Sequence, residues 1–180
     1  MRTGRSKSRS RGIDSILASE WHKEKNRVVT FDNLPPGSSR NIFWWQCSKG
    51  PDHEWQASLN NRKSKGSGCP CCSGRKLSVT NSLAALFPRV AREWHPDKNE
   101  GLTPDEVLAG SRAKYWWKCQ EGFDHIWMST ISNRTSGRYG FPCCAGQKAS
   151  VTNSLRSKYP AMADQLHPDK NDGITADEIV

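Results

Sequence analysis

Five residues separate Cys47 from His53 along the chain, and two separate Cys69 from Cys72. Four sulfur and nitrogen donors in two close pairs, each pair short enough to come from one turn, suit a tetrahedral Zn²⁺. The run Cys69-Pro70-Cys71-Cys72 would form a knuckle whose backbone N–H groups face the thiolates and stabilise their charge. Buried thiols beside a surface histidine are the plainer alternative, but four donors seldom fall at this spacing by accident. Zinc held by Cys47, His53, Cys69 and Cys72 is therefore the expectation for this segment.

The pattern returns 72 residues later with one donor missing. Cys119, His125 and Cys144 align with Cys47, His53 and Cys72, but Phe141 stands in the register of Cys69. Cys143 aligns with Cys71, the middle of the first knuckle, and should point away from any metal. One reading is a metal-free copy in which Phe141 fills the gap and packs near Trp117 and Trp127. The other is zinc on Cys119, His125 and Cys144, with Cys143, water or a partner's side chain as fourth ligand. Three ligands with an open position also describe a catalytic zinc, although no acid or base special to this copy accompanies the loss. One zinc is expected and a second stays open.

These donors need short elements to position them, and the repeat shows which. Trp44-Trp45-Gln46-Cys47 recurs as Trp116-Trp117-Lys118-Cys119, Asn61-Arg62 as Asn133-Arg134, and Ser78-Val79-Thr80-Asn81-Ser82-Leu83 as Ser150-Val151-Thr152-Asn153-Ser154-Leu155. An offset of 73 relates Trp21-His22 and Lys25-Asn26 to Trp94-His95 and Lys98-Asn99. The repeat divides the chain into an arm (1–12), a first unit (13–73), a second unit (81–145) and a half unit (153–180) that lacks the metal-binding part. The half unit reads as a truncation or a terminal cap.

Ile42–Gln46 and Glu54–Leu59 read as two strands joined by the loop that carries Cys47 and His53. Ser82-Leu83-Ala84-Ala85-Leu86 reads as a helical turn that Pro88 interrupts and restarts. Thr103-Pro104-Asp105-Glu106 and Thr175-Ala176-Asp177-Glu178 fit a capping box, so a further helical turn is expected at each. Alternation along a strand puts Trp45 on the face of Cys47 and Trp55 on that of His53, so these two, with Trp117 and Trp127, should wall the metal sites. Trp44 and Trp116 then face the other way. They should pack under the Pro-broken helix and its Trp94, the alternative being a stacking platform for an unpaired base.

Taken together, Trp-Trp-x-Cys, His-x-Trp, Asn-Arg and Gly-Cys-Pro-x-Cys, preceded by Ser-Leu, Pro, Trp-His, Lys-Asn and Gly-Ser, resemble the repeated treble-clef, probable zinc-ribbon domain of unknown function. The resemblance covers nearly everything after residue 13. It implies Cys47, His53, Cys69 and Cys72 as ligands, Zn²⁺ as the cofactor, and tandem arrays, some beside nuclease-like domains. It supplies no established activity, and Phe141 departs from its pattern. The fold class it implies is small α+β zinc-stabilised modules in tandem, treble-clef or zinc-ribbon-like β-hairpin units joined by short helices.

Composition agrees with small stapled modules. Of 180 residues only 34% are hydrophobic, yet eight are Trp and seven Cys, and the mean hydropathy is −0.79. That is little apolar material for one large core. An odd cysteine count and the lack of an apolar leader point to metal binding in an intracellular setting rather than to a disulfide framework. No apolar run is long enough to span a bilayer, so no membrane partner is expected.

The net charge is +9, and Arg2, Arg5, Lys7, Arg9 and Arg11 supply five of those charges without an intervening acid. Such an arm is either a disordered, solvated tail or a binder of phosphate backbone through counterion release. Arg62, Lys63, Lys65, Arg75 and Lys76 surround the first knuckle, and Arg134, Arg138 and Lys148 the second. With the arm they form a candidate phosphate-contacting track for DNA or RNA.

Two catalytic or cochaperone resemblances are weaker. His95-Pro96-Asp97 and His167-Pro168-Asp169 are similar to the J-domain signature, but Pro88 and Gly101 crowd out its long helices. Asp52-His53 and Asp124-His125 are similar to the start of HNH nucleases, yet the downstream positions are cysteines where those enzymes need a second histidine. The expected function is a non-enzymatic, zinc-binding tandem module that binds nucleic acid. A protein-interaction module and a nuclease accessory or degenerate nuclease are the alternatives.

Overall fold

The computed structural model of the chain describes residues 14–137 and 140–180. Arg2, Arg5, Lys7, Arg9, Arg11 and Arg138 lie outside the described residues. The chain divides after Asn81 into two compact units, each built around one two-stranded antiparallel hairpin.

In the first unit, helix α1 (14–19) leads into Trp21, which bridges to Trp45. Strands β1 (Ile42–Gln46) and β2 (Glu54–Ser58) pair with Trp45 opposite Trp55. Phe43 and Trp45 point inward along β1. They meet Leu17, Trp21, Trp55, Cys69 and Cys71 in one cluster. Trp45 is fully buried, its ring edge-on to Trp21 at 5.3 Å, and its indole N–H donates to the Ala57 carbonyl at 3.0 Å. A two-stranded hairpin is at best marginal in water, so the packed tryptophans and the cysteine cluster have to hold it.

The second strand ends one residue earlier than its alternation suggests. Ser58 caps helix α2 (Leu59–Lys63) by accepting from the Asn61 N–H. The apolar Leu59 continues the strand pattern, but a serine that satisfies an otherwise orphaned N–H decides for a helix start. In the second unit β3 (Lys114–Lys118) pairs with β4 (Ile126–Thr130), Trp117 opposite Trp127.

Its first two helices are those expected from Ser82-Leu83 and Pro88, and the third repeats α2. Ser82 caps α3 (Leu83–Leu86), Pro88 starts α4 (Pro88–Ala91), and Thr130 caps α5 (Ile131–Thr135). Within this unit, residues 153–180 repeat the helical half alone, as α6 (Leu155–Lys158) and α7 (Pro160–Ala163). The Leu155 N–H donates to Ile179 as Leu83 does to Val107.

The capping boxes form, but they close turns rather than helices. Glu106 accepts from the Thr103 N–H and hydroxyl, both at 2.9 Å, and Glu178 does the same with Thr175. These contacts hold both carboxyls below the ordinary glutamate range.

Trp44 and Trp116 depart from expectation. Trp94 bridges to Trp117, not Trp116, and its ring meets Trp117 at 5.4 Å. The helical segment thus packs on the inward face. The physical reason is that residues 20–22 add to the free edge of β1: the His22 N–H donates to Trp44 and the Gln46 N–H to Glu20. Asn26 completes that edge, its amide bracketing the Trp44 N–H and carbonyl at 3.0 and 2.8 Å; Asn99 brackets Trp116 likewise. The half-buried Trp44 and Trp116 rings instead lie under Lys25 Nζ at 4.4 Å and Lys98 Nζ at 4.8 Å. Lys25-Asn26 and Lys98-Asn99 are therefore one device, the amide pinning a strand edge and the ammonium covering its tryptophan.

Candidate metal centre

Cys47 follows the last residue of β1, and its N–H donates to the His53 carbonyl at 2.9 Å, which closes the loop between strands. Beyond α2 the chain returns through Cys69–Cys72. Cys47 Sγ then lies 3.7 Å from Cys72 Sγ, and His53 Nδ1 lies 3.6 and 3.4 Å from the sulfurs of Cys69 and Cys72. Zinc bonds of ~2.3 Å to sulfur and ~2.0 Å to nitrogen in a tetrahedron require sulfurs ~3.8 Å apart and sulfur–nitrogen separations of ~3.5 Å. The four donors fit that requirement. The sulfurs are also too far apart for a disulfide, and all seven cysteines are unpaired.

Cys71 lies outside the cluster, buried in the core. Burial raises the Cys69 thiol, but N–H groups of Cys72 and Cys71 outweigh it and leave Cys69 below the ordinary cysteine range. Burial and the neighbouring Cys47 thiol push Cys72 up to about 11. Thiols crowded in this way ionise when a cation supplies the opposing charge, which is what bound zinc does.

The histidine is oriented from behind. His53 Nε2 lies 2.7 Å from Thr80 Oγ1 and 2.9 Å from Ser78 Oγ. Ser78 donates to Asp52 at 2.8 Å, and the Val79 N–H donates to the other carboxylate oxygen at 2.9 Å. The Ser78 hydroxyl first, and the Val79 N–H second, hold the Asp52 carboxyl below its ordinary range. A proton on Nε2 leaves the Nδ1 lone pair facing the sulfurs, the tautomer that binds a metal. Gly50 makes room for this ring, since a Cβ there would stand 2.6 Å from His53 Cδ2. Asn81 ties down the knuckle, its amide donating to the carbonyls of Cys71 and Lys76 at 2.8 and 2.9 Å.

The Ser-Val-Thr-Asn-Ser repeat thus has two uses. Its first four residues serve the metal cluster before it, and its last serine caps the helix after it. Its strict recurrence at 72 residues was the signal available in sequence, but repetition alone does not say which neighbour a segment packs on. Ser78→Ala with Thr80→Val is expected to lower zinc affinity about 10–100-fold, measured by competition with a chromophoric chelator. Unchanged affinity would show that His53 is held by other contacts.

In the second unit Cys119 Sγ lies 3.7 Å from Cys144 Sγ, and Cys144 Sγ 3.4 Å from His125 Nδ1. His125 Nε2 is backed by Thr152 at 2.8 Å and Ser150 at 3.0 Å. Cys143 is buried outside the cluster. Phe141 is buried as well, its ring centroid 3.7 Å from that of Trp127. No ring contact with Trp117 accompanies this among the described residues.

Two of the basic residues assigned to a phosphate track belong to the core. Arg62 is 6% exposed and Arg134 8% exposed. Arg62 pairs with Glu20, donates to the Ser67 carbonyl, and stacks on Trp45 and Trp55 at 4.9 and 5.1 Å. Arg134 pairs with Glu93 and stacks on Trp127 and Phe141 at 5.0 and 4.8 Å. A guanidinium enclosed by rings and a carboxylate has no face left for a phosphate. Lys63, Lys65, Arg75, Lys76 and Lys148 are exposed. Of these, Lys63 pairs with Asp14 at 2.7 Å, and Lys76 donates to the Glu54 carbonyl at 2.8 Å.

Residues 17–75 and 90–147 each match the family described as a probable treble clef zinc finger domain. The chain belongs to that family. Each match spans one hairpin and one Cys/His cluster, so the treble clef units are tandem and both clusters fit zinc. No curated protein matches the sequence. Among the described residues no helix is long and apolar enough to cross a membrane.

Proposed function

We propose that this tandem treble clef protein is a non-enzymatic binder of nucleic acid, which it contacts through its basic arm and the loops around its knuckles. The observation that carries the reading is the set of exposed cations Lys63, Lys65, Arg75 and Lys76 flanking the Cys69–Cys72 knuckle. Lys148 follows the second knuckle in the same way, and the arm adds Arg2, Arg5, Lys7, Arg9 and Arg11. A rigid, metal-held loop presents such cations at fixed spacing, and the five cations of the arm add further phosphate contacts. Support for a binding rather than a catalytic role comes from the histidines. His53 has Nδ1 turned to the sulfurs and Nε2 to Thr80 and Ser78, so neither nitrogen is left to act as a general base. Seven unpaired cysteines suit a reducing, intracellular compartment.

Titration of DNA and RNA at rising salt tests the proposal, and absence of affinity at low salt overturns it. Deleting residues 2–11 is expected to weaken binding and flatten its salt dependence. On duplex DNA each lost phosphate contact lowers the log–log slope by ~0.9. An unchanged slope would assign all contacts to the knuckle loops. A nucleic-acid-independent complex that survives nuclease treatment would favour a protein-interaction role instead.

A further inference from the structure

The second cluster keeps three donors of the first at the same separations, and among the described residues no other donor joins them. Phe141 stands in the Cys69 position, but its ring has turned onto Trp127 and Arg134. The neighbouring thiol of Cys143 is buried outside the cluster. Beside the vacated position is a cavity of ≈ 350 Å³, lined by Cys119 and Phe141 together with Arg89, Arg92 and Glu121. One ligand of the cluster and the residue that replaced the missing ligand thus share a wall of the same space.

Charge and softness specify what the space would take. Two thiolates and a neutral imidazole leave a bound Zn²⁺ with no net charge, whereas the three thiolates of the first cluster give −1. The second site therefore accepts one more anion without exceeding the charge the first carries. The missing donor is a thiolate, and thiolates are among the soft ligands that select zinc. Across the cavity Arg89 and Arg92 are exposed, and among the described residues neither takes part in an ion pair. Of the two glutamates that line the cavity, Glu93 is held by Arg134, while the Glu121 carboxylate takes part in no ion pair among the described residues, so the two guanidinium groups face one uncommitted acid. Paired guanidinium groups suit a carboxylate.

We propose that the second unit is a receptor for a low-molecular-weight thiol that carries a carboxylate. The thiol gives its proton to solvent and completes the coordination of the zinc on Cys119, His125 and Cys144, while the carboxylate meets Arg89 and Arg92. No bond of the ligand breaks apart from S–H, and the binding is reversible.

The test uses the full chain with one equivalent of zinc, followed by Co²⁺ to report on the second site. Added mercaptoacetate is expected to raise the near-ultraviolet sulfur-to-cobalt absorption as the third thiolate arrives. Mercaptoethanol, which lacks the carboxylate, should bind about tenfold more weakly, the worth of one charge-assisted contact. Arg89→Ala with Arg92→Ala should erase that difference and leave cobalt binding intact. Phe141→Cys should show the higher absorption without added thiol and give no response to it, which also verifies that the variant folds around the metal. A second site that takes up no cobalt, a spectrum indifferent to mercaptoacetate, or equal affinity for the two thiols would overturn the proposal.

Discussion

Cys72→Ser is expected to unfold the first unit and to remove one zinc per chain. The apparent binding energy of a structural zinc in small modules is ~10–16 kcal/mol at neutral pH, and it is coupled to folding because the site does not exist in the unfolded chain. Against this, a core in a unit below ~70–80 residues rarely contributes more than ~3–5 kcal/mol. The first unit has one aromatic cluster and a two-stranded hairpin, so it lies within that limit. Cys72 is well placed for the test because its sulfur lies within 3.7 Å of both Cys47 Sγ and His53 Nδ1. Loss of the buried-tryptophan signal of Trp45 in near-ultraviolet circular dichroism, together with metal analysis, checks this. A variant with full zinc content and a native melting curve would show that the ligand set has been misread. Excess chelator at neutral pH should reproduce the effect in the unmodified protein.

Much of this centre was legible in sequence because metal ligation is a matter of residue type and spacing. Cys47, His53, Cys69 and Cys72 converge as their spacing requires, and the hairpin joining the first two ligands follows from alternation in Ile42–Gln46 and Glu54–Ser58. What was not legible depends on three-dimensional neighbours. Ser78 and Thr80 look like linker residues, and only the folded chain brings them to the far nitrogen of His53. The placement of Trp44 required knowing that residues 20–22 would join the edge of β1, a pairing between segments with no shared periodicity. Leu59 shows a local conflict of the same kind, where one capping hydrogen bond outweighs the strand pattern.

The burial of Arg62 and Arg134 is hidden in the sequence for a different reason. Basic residues in a sequence carry no mark of burial, and arginine is the cation best able to be buried, since its planar guanidinium stacks on rings while its edge serves a carboxylate. The conserved Asn-Arg spacing between the two copies reflects packing: Glu20 and Glu93, the partners, stand at the same 73-residue offset as the tryptophans beside them. The exposed lysines around the knuckle have no such partner pattern in the repeat.

Arg62→Ala is accordingly expected to destabilise the first unit by about 3–5 kcal/mol, the cost of breaking a buried ion pair from one side. Three losses combine. Glu20 keeps its charge without its cation, the Ser67 carbonyl loses its donor, and Trp45 and Trp55 lose the planar group stacked on both. Glu20 retains some contact with water, at 23% side-chain exposure, which places the effect towards the lower end of that range. Arg62→Lys should recover little, because an ammonium can pair with Glu20 but cannot also stack flat between two indoles. Lys65→Ala, on an exposed side chain, should change stability by no more than ~0.5 kcal/mol. Urea melts of the zinc-loaded protein followed through tryptophan fluorescence separate these cases, and a double-mutant cycle with Glu20→Gln isolates the pair. If Arg62→Ala instead left the melt unchanged and weakened nucleic-acid binding, the guanidinium would have to leave its ring cage to reach a phosphate. A stable unit with an emptied cage would then need some other group to fill the space between Trp45 and Trp55, and among the described residues Arg62 is the cation stacked on both.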